Sequence, residues 1–425
     1  MLFLYSIAYT LGFIAMLPAF LMRREKYASG FRERLGNYPE FKHDGRKVIW
    51  LHCVSVGETN AARPLIDELQ KQFPSYRLIV STTTKTGHEL AKKLFADKAH
   101  AVFYFPFDWK FSVRRALKNF RPSLILLMET EIWPRLIAEA KRSGSQVAIV
   151  NGRLSEKSFR RYSKAGSFVR RVLAHIDLAL MQGEKDAGRI RSLGIDAWKT
   201  RVTGNIKFDI SKDSNESDLT EYFRKRFGVN GEKALVAAAS THEPEEKLII
   251  DALGDAIGMK ARLVVVPRHP HRFNDVANLL ANCGHSFARR SANESEGDKS
   301  ADIILLDSIG ELRAIYPLAD IVLVGGSFIP HGGQNILEPA AHAKAIITGP
   351  FTDNFADAVK LFLSRKALIQ IPEASHIARL SEAFSDLLNN DELRRELGFN
   401  ASAVIDSNRG ACARTIELIF EITDG

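Results

Sequence analysis

The sequence predicts two consecutive α/β domains of Rossmann-like build, each a parallel sheet covered by helices on both faces. Three observations predict this. The chain has 425 residues, more than one α/β domain usually holds. Short apolar runs of strand length alternate with stretches of helical period, the signature of βαβ units. The alternation is interrupted once, at SKDSNES (Ser211 to Ser217), where hydrophobicity drops and polar residues accumulate before it resumes.

Taken in order, the first element is Leu2 to Met22, an uncharged run long enough to cross a bilayer and followed at once by Arg23, Arg24 and Lys26. A cleaved signal would carry its positive charge before the apolar run, so the arrangement predicts a retained membrane anchor over residues 1–22. The charge bias places its C-terminal side in the cytoplasm, whether the helix spans or lies in the interface.

A first domain follows over 23–210, with strands at KVIWLHCVS, RLIVSTT, HAVFYFPF, SLILLME, QVAIVNG, DLALMQG and RVTG. Between them lie helical stretches such as RPLIDELQKQF and WPRLIAEAKRSG, the latter closing on a glycine. A linker over 211–220 leads to a second domain, 221–400, with strands at ALVAAAS, RLVVVP, DIILLD, DIVLVGGS, AIITGP and ALIQIP. SANESEGDKS reads as a polar surface loop, and the last helical stretch, within 401–425, is placed to cross back to the first domain. Two such domains enclose a cleft, and ligands of such sheets bind beyond the carboxyl ends of the strands.

Several classes are disfavoured. The three cysteines are far apart without a CxxC pair, against a disulfide framework or zinc knuckle. GxGxxG, GxxxxGK[ST] and GxSxG motifs are missing, so neither a dinucleotide cofactor, a P-loop nucleotide nor a hydrolase elbow is expected. The net charge of +9 asks for an anionic partner. No nucleic-acid motif accompanies it, so no nucleic acid is expected and an anionic lipid is the simpler partner.

Candidate chemistry sits on strand-to-helix loops. In VSVGET, Glu58 reads either as a carboxylate favoured by a helix N-terminus or as a general base, with Gly57 free to turn it into the cleft. In METEIWP, Glu129 and Glu131 share a face of an extended segment, at a strand end that is either solvent-facing or functional. Lys207, in GNIKFD, is either solvated or balances a leaving phosphate. In PRHPHRF, His269 and His271 make a poor metal pair, and Arg268 is the better phosphate or base contact. In GGSFIPHGGQNILEP, a helix expected near Asn335 would offer amides to phosphate, with Glu338 one turn in. The alternative is a glycine-rich turn that Asn335 caps.

VSVGET, METEIWP, GNIKFD, PRHPHRF, SIGEL and GGQNILEPAAHAK, in this order, resemble the 3-deoxy-D-manno-octulosonic acid (Kdo) transferases of Gram-negative bacteria over almost the whole chain. The resemblance implies a GT-B glycosyltransferase of the inverting kind, working without a metal or cofactor. It implies CMP-Kdo as donor and the acylated glucosamine disaccharide precursor of lipid A as acceptor, at the inner membrane with the catalytic domains on the cytoplasmic side. By the same resemblance Glu58 is the general base, and Glu129 and Lys207 stabilise the transition state. Pro267, Arg268, Ile309, Gly310, Glu311, Asn335, Ile336, Leu337 and Glu338 match CMP-binding segments. Gln334 departs from the pattern, where histidine is usual.

The stretch Arg153 to Arg171 carries seven basic residues against one acidic and reads as an exposed helix face or as a surface for anionic lipid. Two rivals stand beside the transferase: a GT-B enzyme using a UDP-sugar, separable by donor competition, and a membrane-tethered nucleotide-binding scaffold, separable by turnover.

Overall fold

The computed structural model describes residues 1–22, 29–210, 216–373 and 376–423. Arg23, Arg24 and Lys26, and residues 211–215 of the expected linker, lie outside the described residues. The chain divides into two compact units, Met1–Ser211 with Asn408–Gly425, and Lys212–Ser407.

The first unit holds seven parallel strands: β1 Val48–Cys53, β2 Arg77–Thr82, β3 Ala101–Tyr104, β4 Leu124–Met128, β5 Gln146–Gly152, β6 Leu178–Met181 and β7 Thr200–Val202. Their order is β3-β2-β1-β4-β5-β6-β7, so the chain reverses its direction of travel between β1 and β4. Every residue of β1 and β4 is buried, as expected for strands covered on both faces. One face packs Trp50, Ile125 and Ile149 against helices, the other packs Leu51, Leu126 and Val150. The final helix, Ala411–Thr423, completes that second face through Cys412, Ile416 and Ile419.

The second unit repeats the plan with β8 Ala234–Thr241, β9 Ala261–Pro267, β10 Phe287–Arg289, β11 Ile303–Leu305, β12 Ile321–Val324, β13 Ala345–Thr348 and β14 Ile369–Gln370. The order is β10-β11-β9-β8-β12-β13-β14, with the reversal between β8 and β12. Such a switch point opens a crevice beyond the strands' carboxyl ends.

The N-terminal helix, Leu2–Met22, is held against the first unit along one side. Tyr5 donates its hydroxyl proton to buried Asp108 (2.8 Å), and Trp109 Nε1 donates to Thr10 Oγ1 (2.9 Å). Arg135 reaches the carbonyl of Leu2 (2.8 Å) and Ser6 Oγ (2.6 Å), while Phe13 meets Phe107 edge-on. Phe3, Leu4, Ile7, Leu11 and Ile14 are exposed on the helix. Among the described residues no helix is long and apolar enough to cross a membrane. The spanning anchor expected from the sequence is not confirmed here; on this helix Tyr5, Ser6 and Thr10 bond to the protein.

Candidate active site

In the first unit the candidate residues gather at the switch point. Glu58 follows β1 and Glu129 follows β4, the two strands that adjoin where the order reverses. Glu58 is the third residue of the helix Val56–Ala61, and Ser55 precedes that helix as its N-cap. Ser55 and Glu58 have the S-x-x-E spacing of a capping box. The Glu58 carboxylate accepts the Val54 amide (2.8 Å) and the Ser55 hydroxyl (3.3 Å). The box is not closed, because the Ser55 side chain caps no helix amide and Glu58 reaches the Val54 amide instead of that of Ser55, and capping does not set the protonation of the group. Glu58 is only 7% exposed, and burial, aided by the charges of Glu129 and Glu131, pushes its pKa up to about 8. Gly57 differs from expectation. It is an ordinary helical residue without positive φ, so the helix start itself aims Glu58.

Glu129 stands at φ +55°, a left-handed conformation that a non-glycine residue adopts only under constraint. The METE segment is therefore a turn rather than an extended strand end. Burial, then the charge of Glu129, raises the pKa of Glu131, against the pull of Arg161. Lys207 supplies the compensating cation, with Nζ 3.2 Å from Glu129 Oε1. It rides on the short 3-10 turn Ile206–Phe208, where Asn205 Oδ1 accepts the Lys207 amide (3.0 Å). Three sequence-distant motifs thus form one cluster of three carboxylates and a lysine. Among the described residues, no group of three or more His, Cys, Asp or Glu side chains is placed to hold a metal ion.

A cavity of about 420 Å³ lies at the amino ends of β4 and β5, lined by Arg114, Lys118, Arg121 and Arg142 about Glu139. It is remote from the carboxylate cluster, which occupies the carboxyl ends of the same strands.

In the second unit, β8 and β12 are joined at their carboxyl ends by Glu245, a residue sequence reasoning passed over. Fully buried, it accepts the amides of His242 (2.9 Å), Gly326 (2.7 Å), Ser327 (3.1 Å) and Phe328 (2.9 Å). Burial raises its pKa, and the amides of Gly326, Phe328 and His242 pull against that rise. The nearest sequence signal was the acidic pair after Pro244, a common helix opening. Gly325 is required for steric reasons, since a Cβ there would sit 2.6 Å from the Ser240 carbonyl oxygen.

The glycine-rich stretch departs from expectation in two ways. Its helix begins at Leu337 and is five residues long, and Asn335 Oδ1 accepts the Leu337 amide (3.0 Å). The N-cap is Ile336, so Asn335 makes a local turn bond from one residue further out rather than capping the helix. The amides of Gly326 to Phe328 are occupied by Glu245, which leaves those of Asn335 and Ile336 without an acceptor among the described residues. Ile336 and Leu337 are buried, so only their main chain can meet a ligand. Glu338 pairs with Arg313 (3.6 Å).

Pro267 ends β9 opposite Thr241, and the exposed Arg268 that follows anchors its amide on the Thr241 carbonyl (2.9 Å). Arg272, by contrast, is committed to buried Glu246 through two bonds (2.6 and 3.1 Å). Ile309 is 68% exposed at a turn where Gly310 has φ +89°, and Glu311 is held by both arms of Arg290 at 3.0 Å. The imidazole of His242 lies beside those of His331 (4.4 Å between ring centroids) and His269 (5.2 Å). Burial, then those rings and Arg268, hold His242 down near 4. Unit two thus presents Arg268 and three imidazoles at its switch point, a setting for an anion.

Residues 29–210 match the profile of the family described as 3-Deoxy-D-manno-octulosonic-acid transferase (kdotransferase). A 3-deoxy-D-manno-octulosonic acid transferase of Haemophilus influenzae is 34% identical over 96% of this chain and 94% of its own. The chain belongs to the Kdo transferase family. A Kdo transferase of Bordetella pertussis is 33% identical over 87% of this chain and 86% of its own. The C-terminal CMP-Kdo binding domain of WaaA from Acinetobacter baumannii is 31% identical, covering 45% of this chain and 99% of its own, with a TM-score of 0.42. A glycosyltransferase from Rickettsia africae shares the fold, with a TM-score of 0.58 at 14% identity over 89% of this chain and 99% of its own. In this Kdo transferase, then, both parallel sheets carry their polar clusters at the switch point.

Proposed function

We propose that the chain transfers Kdo from CMP-Kdo to the phosphorylated, acylated glucosamine disaccharide precursor of lipid A, with inversion and without a metal. The observation that carries this reading is Glu58, buried beside two further carboxylates with its pKa lifted to about 8. A carboxylate of ordinary pKa is a feeble base, whereas one near 8 is matched to an alcohol at neutral pH. Glu58 takes the proton of the acceptor hydroxyl as its oxygen bonds to the anomeric carbon of Kdo. The bond from that carbon to the CMP phosphate breaks, and CMP leaves with the electron pair. Arg268 and the Asn335 and Ile336 amides offset the charge growing on phosphate. Lys207 and Glu129 balance charge on the sugar side.

Turnover of CMP-Kdo with the lipid A precursor, followed by mass spectrometry in the presence of EDTA, tests this. Product heavier by one or more Kdo units is expected. No product with either this acceptor or shortened acyl variants, at full CMP binding, overturns the acceptor assignment, and loss of product on EDTA alone overturns metal independence.

We place the protein at the cytoplasmic face of the inner membrane, lying on it rather than threaded through it. Support comes from the exposed Phe3, Leu4, Ile7, Leu11 and Ile14 of the first helix and from the basic helices Glu156–Lys164 and Gly166–Leu173. Tyr5 stacks on Phe168, so these two surfaces adjoin. Charge reversal at Arg160, Lys164 and Arg171 is expected to weaken sedimentation with anionic vesicles about tenfold or more, at ~1 kcal/mol per basic residue near the surface. Unchanged sedimentation would rule this surface out.

A further inference from the structure

Three strand ends of the first unit are linked into a ring. The Glu129 amide donates to the Val150 carbonyl (2.9 Å). The next residue, Asn151, accepts the Ile206 amide on Oδ1 (3.1 Å). Lys207, beside Ile206, closes the ring on Glu129 (3.2 Å).

Asn151 is unusual in three respects. It is fully buried on a strand whose preceding residues, Val147 to Val150, are apolar. Its φ is +53°, a conformation that asparagine tolerates better than most residues. Its main-chain carbonyl accepts Gln182 Nε2 (3.0 Å), while its own Nδ2 is buried with no partner among the described residues. Glycine would suit the φ better and an apolar residue would suit the burial better. Neither would hold Ile206. Strain of this sort persists where the surroundings over-determine a position, and such positions cluster at functional sites.

We propose that Asn151 is a positioning residue for Kdo transfer: it fixes the turn that carries Lys207, and so sets how much of the Glu129 charge reaches Glu58. This rests on the roles proposed above for Glu58, Glu129 and Lys207. With the tether cut, Lys207 loses its fixed place on Glu129. The uncompensated carboxylate then makes Glu58 hold its proton more tightly, and the rate rises only at higher pH.

The test is Asn151→Gly, which removes the acceptor yet accepts the backbone conformation, with kcat, KM and the pH–rate profile measured beside wild type. The expected result is a fall of about 10–100-fold in kcat at neutral pH, the scale of a small misplacement at the reacting centre. Substrate KM should change little, and the ascending limb of the profile should move to higher pH. Asn205→Ala, which frees the Lys207 amide on the same turn, should move the limb the same way by less, and it carries the test if the glycine variant does not fold. An unmoved limb in the folded variants overturns the proposal even if kcat falls, because a purely structural role lowers the amount of active enzyme without moving the limb. Failure of wild type to transfer Kdo would instead overturn the functional reading, so the two failures are distinguishable.

Discussion

Glu58→Gln is expected to lower kcat by about 10²–10⁴-fold, the usual contribution of a positioned general base, while CMP binding persists. Glutamine keeps the shape of the side chain and an oxygen for the Val54 amide, so the helix start at Val56 should survive. The same substitution has a stability signature with a definite sign. A carboxyl whose pKa rises from 4.5 to about 8 on folding binds its proton more tightly in the native state. Its stabilising contribution is fully present below pH 4.5 and is lost as pH rises through 8. Denaturant melts of wild type should therefore show this loss across that window, and Glu58→Gln should remove the Glu58 share of it. A variant as active as wild type, or one with the same pH dependence of stability, would contradict the assignment.

The second large effect belongs to the other unit. Glu245→Ala strands four buried amides at once, those of His242, Gly326, Ser327 and Phe328. At ~1–3 kcal/mol per orphaned donor, with relaxation recovering part, the expected loss is about 4 kcal/mol of stability. CMP binding should fall with it, because the loop after β12 sits against His242 and His331. Glu245→Gln retains one acceptor oxygen and should lie between. Calorimetric CMP titration and denaturant unfolding measure both, and an unchanged midpoint in Glu245→Ala would show that the amides find other acceptors.

The βαβ order was legible because buried parallel strands read as continuous apolar runs. Six strands of the first unit lie within the stretches expected, and β7 overlaps RVTG, starting one residue earlier at Thr200. In the second unit β10, Phe287–Arg289, escaped notice. It has three residues, lies at the sheet edge and ends in an arginine, too little for a periodic signal. That Glu58 and Glu129 lie just beyond strands was legible from their places after KVIWLHCVS and in SLILLME. What a linear sequence does not carry is the environment of those groups. Burial governs Glu58, and the charges that add to it, those of Glu129 and Glu131, sit some seventy residues away. The occupation of the Gly326 to Phe328 amides depends on Glu245, 81 to 83 residues away. Asn151 left only a faint trace, one amide closing an apolar strand. The Tyr5, Ser6, Tyr9, Thr10 stripe was visible at helical spacing, but its partners Asp108 and Arg135 were not.

The measurement that bears most directly on Glu58 as base is the pH dependence of kcat/KM for Kdo transfer, which reports ionisations of the free enzyme. An ascending limb centred near pH 8 is expected in wild type, and it should be absent from the residual activity of Glu58→Gln. A limb near the ordinary carboxylate range, or the same limb in both proteins, would contradict the account.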